Sequence, residues 1–219
     1  MEEKGGKILM NNMRIEKYFS FTTHTLYQVF VNKGDEIQTL VTHNARVVEL
    51  WINKNIRVVN SLIVGLGVQW RPNFIRGEHR HPVATLQLSL GKYCLIFQIL
   101  ESGCCIPDRL REFLGDPRYT FVGVGVGYNV MMLSTDCGLR VANIRELNLW
   151  AAFKLDRMGL DKAGLKLLVK EILGVEMEKP KNIKFSLWDS PELSLDQVAY
   201  ASRDAYFSFE IGRSLSARY

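Results

Sequence analysis

Residues 61–70 read SLIVGLGVQW, a nearly unbroken apolar run far too short to cross a bilayer. A run of this kind suits a central strand covered on both faces, because a strand with one wet face would alternate apolar and polar residues. Pro72 ends it, since proline cannot donate to a sheet ladder. Residues 82–90 (PVATLQLSL) and 93–100 (YCLIFQIL) read as two further strands joined at Gly91-Lys92. With the central run they predict a three-stranded meander. Residues 22–31 and 37–42 are rich in β-formers and flank the turn signal Asn32-Lys-Gly-Asp35, which predicts a hairpin. Residues 120–126 (TFVGVGV) read as another buried strand.

Helical spacing begins after Asn44, a good N-cap, with Val47, Val48, Leu50, Trp51 and Ile52 recurring up to Asn55. Pro107 suits the first position of a helix over residues 107–114. Beyond residue 126 the pattern turns mostly helical. Helices are expected over 129–136, stopped near Gly138, over 146–155, and over 164–173, stopped by Gly174. A brief strand is expected over 140–144. Ser194-Leu-Asp-Gln197 fits a capping box that opens a long last helix reaching about Ser214. The expected fold class is therefore α/β, a mixed central sheet flanked by helices, in one domain spanning residues 18–219. Residues 1–17 (MEEKGGKILMNNMRIEK) are polar and charged and read as a flexible N-terminal tail.

Composition narrows the function classes. Hydrophobic residues make up 47% and charged residues 23%, so a sizeable core is expected and wholesale disorder is not. No apolar run approaches ~18 residues, and the N-terminus lacks the apolar core of a secretory signal. An intracellular location, nuclear or cytoplasmic, is expected. Cys94, Cys104, Cys105 and Cys137 have neither CxxC spacing nor a nearby histidine, so reduced thiols are expected rather than zinc or disulfides. A net charge of +5 and a pI near 9.0 favour polyanionic partners, chiefly nucleic acid.

Four segments carry candidate chemistry: the end of the central strand (residues 65–72, GLGVQWRP), residues 122–129 (VGVGVGYN), Trp188-Asp189, and Tyr200-Ala-Ser-Arg-Asp204 on the last helix. Tyr200 and Asp204 stand four apart and share a helix face. A phenol beside a carboxylate can orient a metal-bound water toward phosphate. The glycines of residues 123–127 suit close strand packing better than dinucleotide binding.

Taken together, the phrases VGLGVQWRPNF, TLQLS, FLGDPRYTFVGVGV and EILGVEMEKPKNIKFSLWDSPELSLDQVAYASRDAYFSFEIGR resemble the DEDD-type 3′-5′ exonucleases of the ribonuclease-H-like (DnaQ-like) fold, in particular the plant Werner-syndrome-like exonuclease domains. The resemblance covers residues 27–213 in the family's order. It implies removal of nucleotides from single-stranded RNA or DNA 3′ ends, with four acidic residues holding Mg²⁺ or Mn²⁺ ions. Two such ions about 3.5–4 Å apart repel strongly, and several carboxylates must compensate.

This sequence departs from that pattern. Gly67 and Gln69 stand where the family has its first Asp and Glu, and Asn129 stands at the middle Asp. Only Asp204, as a weak metal ligand, and Tyr200 remain as catalytic candidates. One carboxylate beside neutral amides cannot offset two dications, so the two-metal site is expected to be absent. The residues considered as substitutes are Glu78, His79 and His81, which read better as a solvated turn, and Asp189, which reads better as a brace before the last helix. The Gly-x-Gln replacement resembles that of the plant RISC-interacting clearing exoribonucleases, which implies homo-oligomers with a site completed between subunits. Trp70 and Arg71 are candidates to stack or pair with a strand end, and Lys179, Lys181 and Lys184 to contact phosphates. Tyr206, Phe207 and Phe209 read as core. Two functions stand open: an exonuclease of weak or altered activity, and a catalytically silent pseudo-exonuclease that binds nucleic acid or serves as an oligomer subunit.

Overall fold

Nine strands join into one sheet among the residues that the computed structural model describes, which are 8–10, 13–31, 35–58, 62–74, 77 and 79–217. In chain order they are β1 (Ile8–Met10), β2 (Met13–Ser20), β3 (His24–Val31), β4 (Asp35–Thr42), β5 (Ile63–Trp70), β6 (Val83–Leu90), β7 (Tyr93–Phe97), β8 (Thr120–Gly123) and β9 (Ile144–Glu146). Their order across the sheet is β1-β2-β3-β4-β7-β6-β5-β8-β9. The expected meander is β5-β6-β7, antiparallel throughout. The expected hairpin is β3-β4, closed by the pair Val31↔Asp35; residues 32–34 of its turn lie outside the described residues. The pairs β4-β7, β5-β8 and β8-β9 are parallel, so the sheet is mixed, and the fold is the expected ribonuclease-H-like α/β arrangement.

Helices cover both faces. They are α1 (Ala45–Val58), α2 (Asp108–Gly115), α3 (Val126–Cys137), α4 (Leu147–Lys154), α5 (Leu165–Leu168), α6 (Lys181–Lys184) and α7 (Leu195–Ser216). On one face Leu66, Val68, Leu86 and Phe97 pack with Ile52 of α1, Phe113 of α2 and Leu133 of α3. On the other, Val41, Ile96 and Val122 pack with Ala151 of α4, Leu168 of α5, and Val198, Ala205 and Ile211 of α7. Each large apolar side chain removed from water in this way contributes roughly 1.5–3 kcal/mol. All eight residues of β6 are buried, as a doubly covered strand requires. Among the described residues no helix is long and apolar enough to cross a membrane, and the four cysteines are free.

Two local features set the position of α7. The capping box forms: Ser194 Oγ accepts from the Gln197 N–H at 3.2 Å, and Gln197 Oε1 accepts from the Ser194 N–H at 2.9 Å. The helix then crosses β5 directly over Gly65, where any Cβ would stand 2.0 Å from the Ala205 carbonyl oxygen. Only glycine permits that approach. A buried hydrogen bond from Thr39 Oγ1 to Ser202 Oγ, 2.8 Å, ties α7 to β4 as well.

Several expectations need correction. The expected tail over residues 1–17 does not extend that far, because β2 starts at Met13 and β1 pairs with it. Arg14 and Glu16 of β2 flank Ile15, which is buried on the sheet, so a polar composition concealed a strand held between β1 and β3. Residues 1–7, 11 and 12 lie outside the described residues. The strand expected over 120–126 ends at Gly123, and α3 starts at Val126 rather than at Asn129. Between them Gly125 adopts φ 73°, which turns the chain out of the sheet. The brief strand expected over 140–144 lies at β9 instead. The helix expected over 164–173 is α5 running into a π-helical turn, Val169–Leu173. Helix α6 and the 3₁₀ turn Met158–Leu160 carry too few residues to register as periodic patterns.

Candidate nucleic-acid cleft

At the C-terminal end of β5 the chain opens into a cavity of about 470 Å³. Its lining brings together Gly67, Gln69 and Trp70 of β5, Asn129 of α3, and Tyr200, Asp204 and Ser208 of α7. Lys166 of α5, Lys179, and Lys181 and Lys184 of α6 complete it. Of the four segments read as parts of one site, three contribute to this lining, residues 65–72, 122–129 and 200–204, and Trp188-Asp189 does not. β5 alternates, so Gly65, Gly67 and Gln69 face α7 while Leu66 and Val68 face the opposite core. Because α7 is seated on Gly65, its preceding turns carry Asp204 and Tyr200 to the mouth of the same strand.

Asp204 is the only acidic side chain among the described residues of this lining. Its Oδ2 accepts a hydrogen bond from Lys179 Nζ at 2.6 Å, and the pair is well shielded, with 27% of the lysine and 16% of the aspartate side chain exposed. Lys179 Nζ also lies 5.2 Å from the centre of the Tyr200 ring, on which a cation is attracted to the π-face. Asp204 Oδ1 is buried and has no hydrogen-bond partner. Burial pushes the Asp204 carboxyl above the usual carboxylate range, and the nearby charge of Lys179 opposes the shift. Burial likewise raises the Tyr200 phenol, reinforced by the charge of Asp204, so Tyr200 stays a neutral hydroxyl. Trp70, which lines the cavity, pairs with Tyr128, with ring centroids 5.9 Å apart, and Tyr128 is about half exposed and outside the lining.

Other candidates fall elsewhere. Arg71 does not line the cavity; it pairs with Asp189 at 3.3 Å, and this ion pair is the brace that Asp189 provides. His79 and His81 do not line it either. Their loop is closed by Asn73, which donates to the His79 carbonyl oxygen and accepts from the His81 N–H. Glu78 lies outside the described residues. Phe207 and Phe209 are core, with Tyr206 packed against it. Sequence reasoning missed Lys166, because nothing about its spacing sets it apart from other surface lysines. It also missed the pairing of Lys179 with Asp204, for which the sequence carries no periodic signal.

The donor set does not fit a pair of divalent ions. Among the described residues no group of three or more His, Cys, Asp or Glu side chains is placed to hold a metal. At Asp204, the one carboxylate of the described lining, one oxygen is engaged by an ammonium. Gly67 supplies no side chain, and Gln69 and Asn129 supply neutral oxygens.

Fold and cleft together define an α/β protein of nuclease architecture. RNase D of Trypanosoma brucei superposes with a TM-score of 0.69 at 12% identity, covering 82% of this chain and 65% of that one. RNase D of Escherichia coli, an exoribonuclease, superposes at 0.66 and 18% identity, covering 81% and 44%. The 3′-5′ exonuclease family model matches residues 75–218, and the chain belongs to that family. A 3′-5′ exonuclease of Arabidopsis thaliana is 33% identical over 153 residues, 69% of this chain and 52% of the relative. The chain thus spans about half the length of that curated relative.

Proposed function

We propose that this chain binds single-stranded nucleic-acid 3′ ends in the cleft and has lost two-metal hydrolysis. The observation that carries this reading is Asp204, the sole carboxylate of the described lining, already neutralised by Lys179. Hydrolysis by two divalent ions needs several carboxylates to hold them and to strip their water. Binding needs much less: a groove, cations for the phosphates and an aromatic face for a base. Lys166, Lys179, Lys181 and Lys184 supply the cations, and Trp70 with Tyr128 supplies the aromatic face. The basic balance of the whole chain acts in the same direction.

The test is a paired assay on labelled single-stranded RNA and DNA, with Mg²⁺ or Mn²⁺ present. Retained oligonucleotide without release of nucleotides is the expected result. Release of nucleotides that Asp204→Ala abolishes would refute the loss of catalysis. Failure to retain either oligonucleotide would refute binding.

A further inference from the structure

We propose that the ammonium of Lys179 is the resident cation of the cleft, so that nucleic-acid phosphates bind there without a divalent metal. This rests on the binding reading above and specifies its chemistry. Lys179 Nζ is held from two sides, by Asp204 Oδ2 at 2.6 Å and by the Tyr200 ring at 5.2 Å. It is thereby pre-organised at the one carboxylate where a divalent ion would have to bind, and a dication drawn to Asp204 would meet an ammonium on the same group. Such like-charge crowding in a shielded site disfavours the ion. Among the described residues the charged lining consists of four lysines and one aspartate, a surplus of three positive charges. That surplus suits an anion directly. A cleft that had to recruit metal ions first would carry the opposite sign.

The charge argument predicts opposite signs for two substitutions. Asp204→Asn keeps the shape of the side chain, releases the ammonium from its partner and removes a charge that repels phosphate. Binding should tighten. Lys179→Ala removes a charge-assisted contact, and binding should weaken by about tenfold or more. A metal-dependent cleft would behave the other way: loss of Asp204 would abolish binding, and loss of Lys179 would open the carboxylate to the ion and strengthen it.

The experiment measures fluorescence anisotropy of a short 5′-labelled single-stranded RNA with the full chain, once with excess chelator and once with Mg²⁺. Equal affinities in the two buffers, within about twofold, are expected, together with weakening by Lys179→Ala. Lys179→Ala leaves a buried carboxylate unpaired and could unfold the cleft. The double variant Lys179→Met with Asp204→Asn removes both charges at similar volume, and it should weaken binding relative to Asp204→Asn alone. RNA binding that Mg²⁺ controls, or that Lys179→Ala strengthens, overturns the assignment of Lys179 and leaves the binding reading standing. No RNA binding by the unsubstituted chain overturns both.

Discussion

At the scale of single residues, the cleft is defined by what three positions lack and what one lysine adds. Gly67, Gln69 and Asn129 remove three negative charges relative to the pattern the chain resembles, and Lys179 neutralises the fourth position, Asp204. Restoring the acids is therefore not enough while the ammonium stays. The triple variant Gly67→Asp, Gln69→Glu, Asn129→Asp should show little stabilisation by Mn²⁺, whereas adding Lys179→Ala should produce a clear rise in melting temperature. At an ion concentration about 100 times the dissociation constant, binding stabilises by roughly 2.7 kcal/mol, or about 5–10 °C for a chain of this size. A side chain at Gly67 starts 2.9 Å from Gln87 Oε1, and because that amide is buried and donates to Thr85 Oγ1, it must turn for the substitution to be accommodated. An unchanged melting curve in the quadruple variant would show that more than charge has been lost.

At the scale of elements, the position of α7 decides whether a site exists at all. Gly65→Ala would set a methyl group 2.0 Å from the Ala205 carbonyl, and neither strand nor helix can yield without moving Tyr200 and Asp204. Destabilisation at or above the upper end of ~1–3 kcal/mol is expected in denaturant titrations, along with loss of oligonucleotide binding. A second joint links α3 to the start of β6: Asp136 accepts two hydrogen bonds from Arg80, at 2.6 and 2.7 Å, and one from the Val83 N–H at 2.9 Å. These bonds hold the Asp136 carboxyl below its usual range, with the Arg80 hydrogen bonds the largest cause. Its folded value being depressed, the stabilisation is complete above the ordinary carboxylate value of 3.8 and fades as pH falls through the lower folded value. Asp136→Ala should cost about 2 kcal/mol at neutral pH, and the gap to the unsubstituted chain should narrow in acid. A gap that stays constant with pH would show that the carboxylate charge is not what stabilises the joint. The elements themselves were largely legible in sequence, because a capping box, an apolar run and a β-former hairpin are local patterns. β2 was not, since its single buried Ile15 becomes apolar surface only once β3 lies beside it. The ends of β8 and α3 were displaced because the reversal at Gly125 is a backbone choice that hydrophobic spacing does not encode.

At the scale of the whole molecule, the proposed binding should depend on salt. Each lysine that contacts a phosphate of a single strand contributes about −0.7 to the slope of log affinity against log salt. With Lys166, Lys179, Lys181 and Lys184 lining the cleft, a slope of about −2 to −3 is expected. Lys181→Ala should lower its magnitude by about 0.7 while leaving the melting temperature within about 2 °C. A slope near zero would show that these lysines do not contact phosphate. The sequence by itself determined the layered α/β fold, the capped last helix with Tyr200 and Asp204 on one face, and the uncharged residues Gly67, Gln69 and Asn129, because periodicity and residue identity are written along the chain. Only the tertiary structure decided that Lys179 closes on Asp204 and that Lys166 joins the same lining. An ion pair between residues 25 positions apart depends on where a crossing helix and an irregular segment meet in space, and no one-dimensional pattern records that meeting.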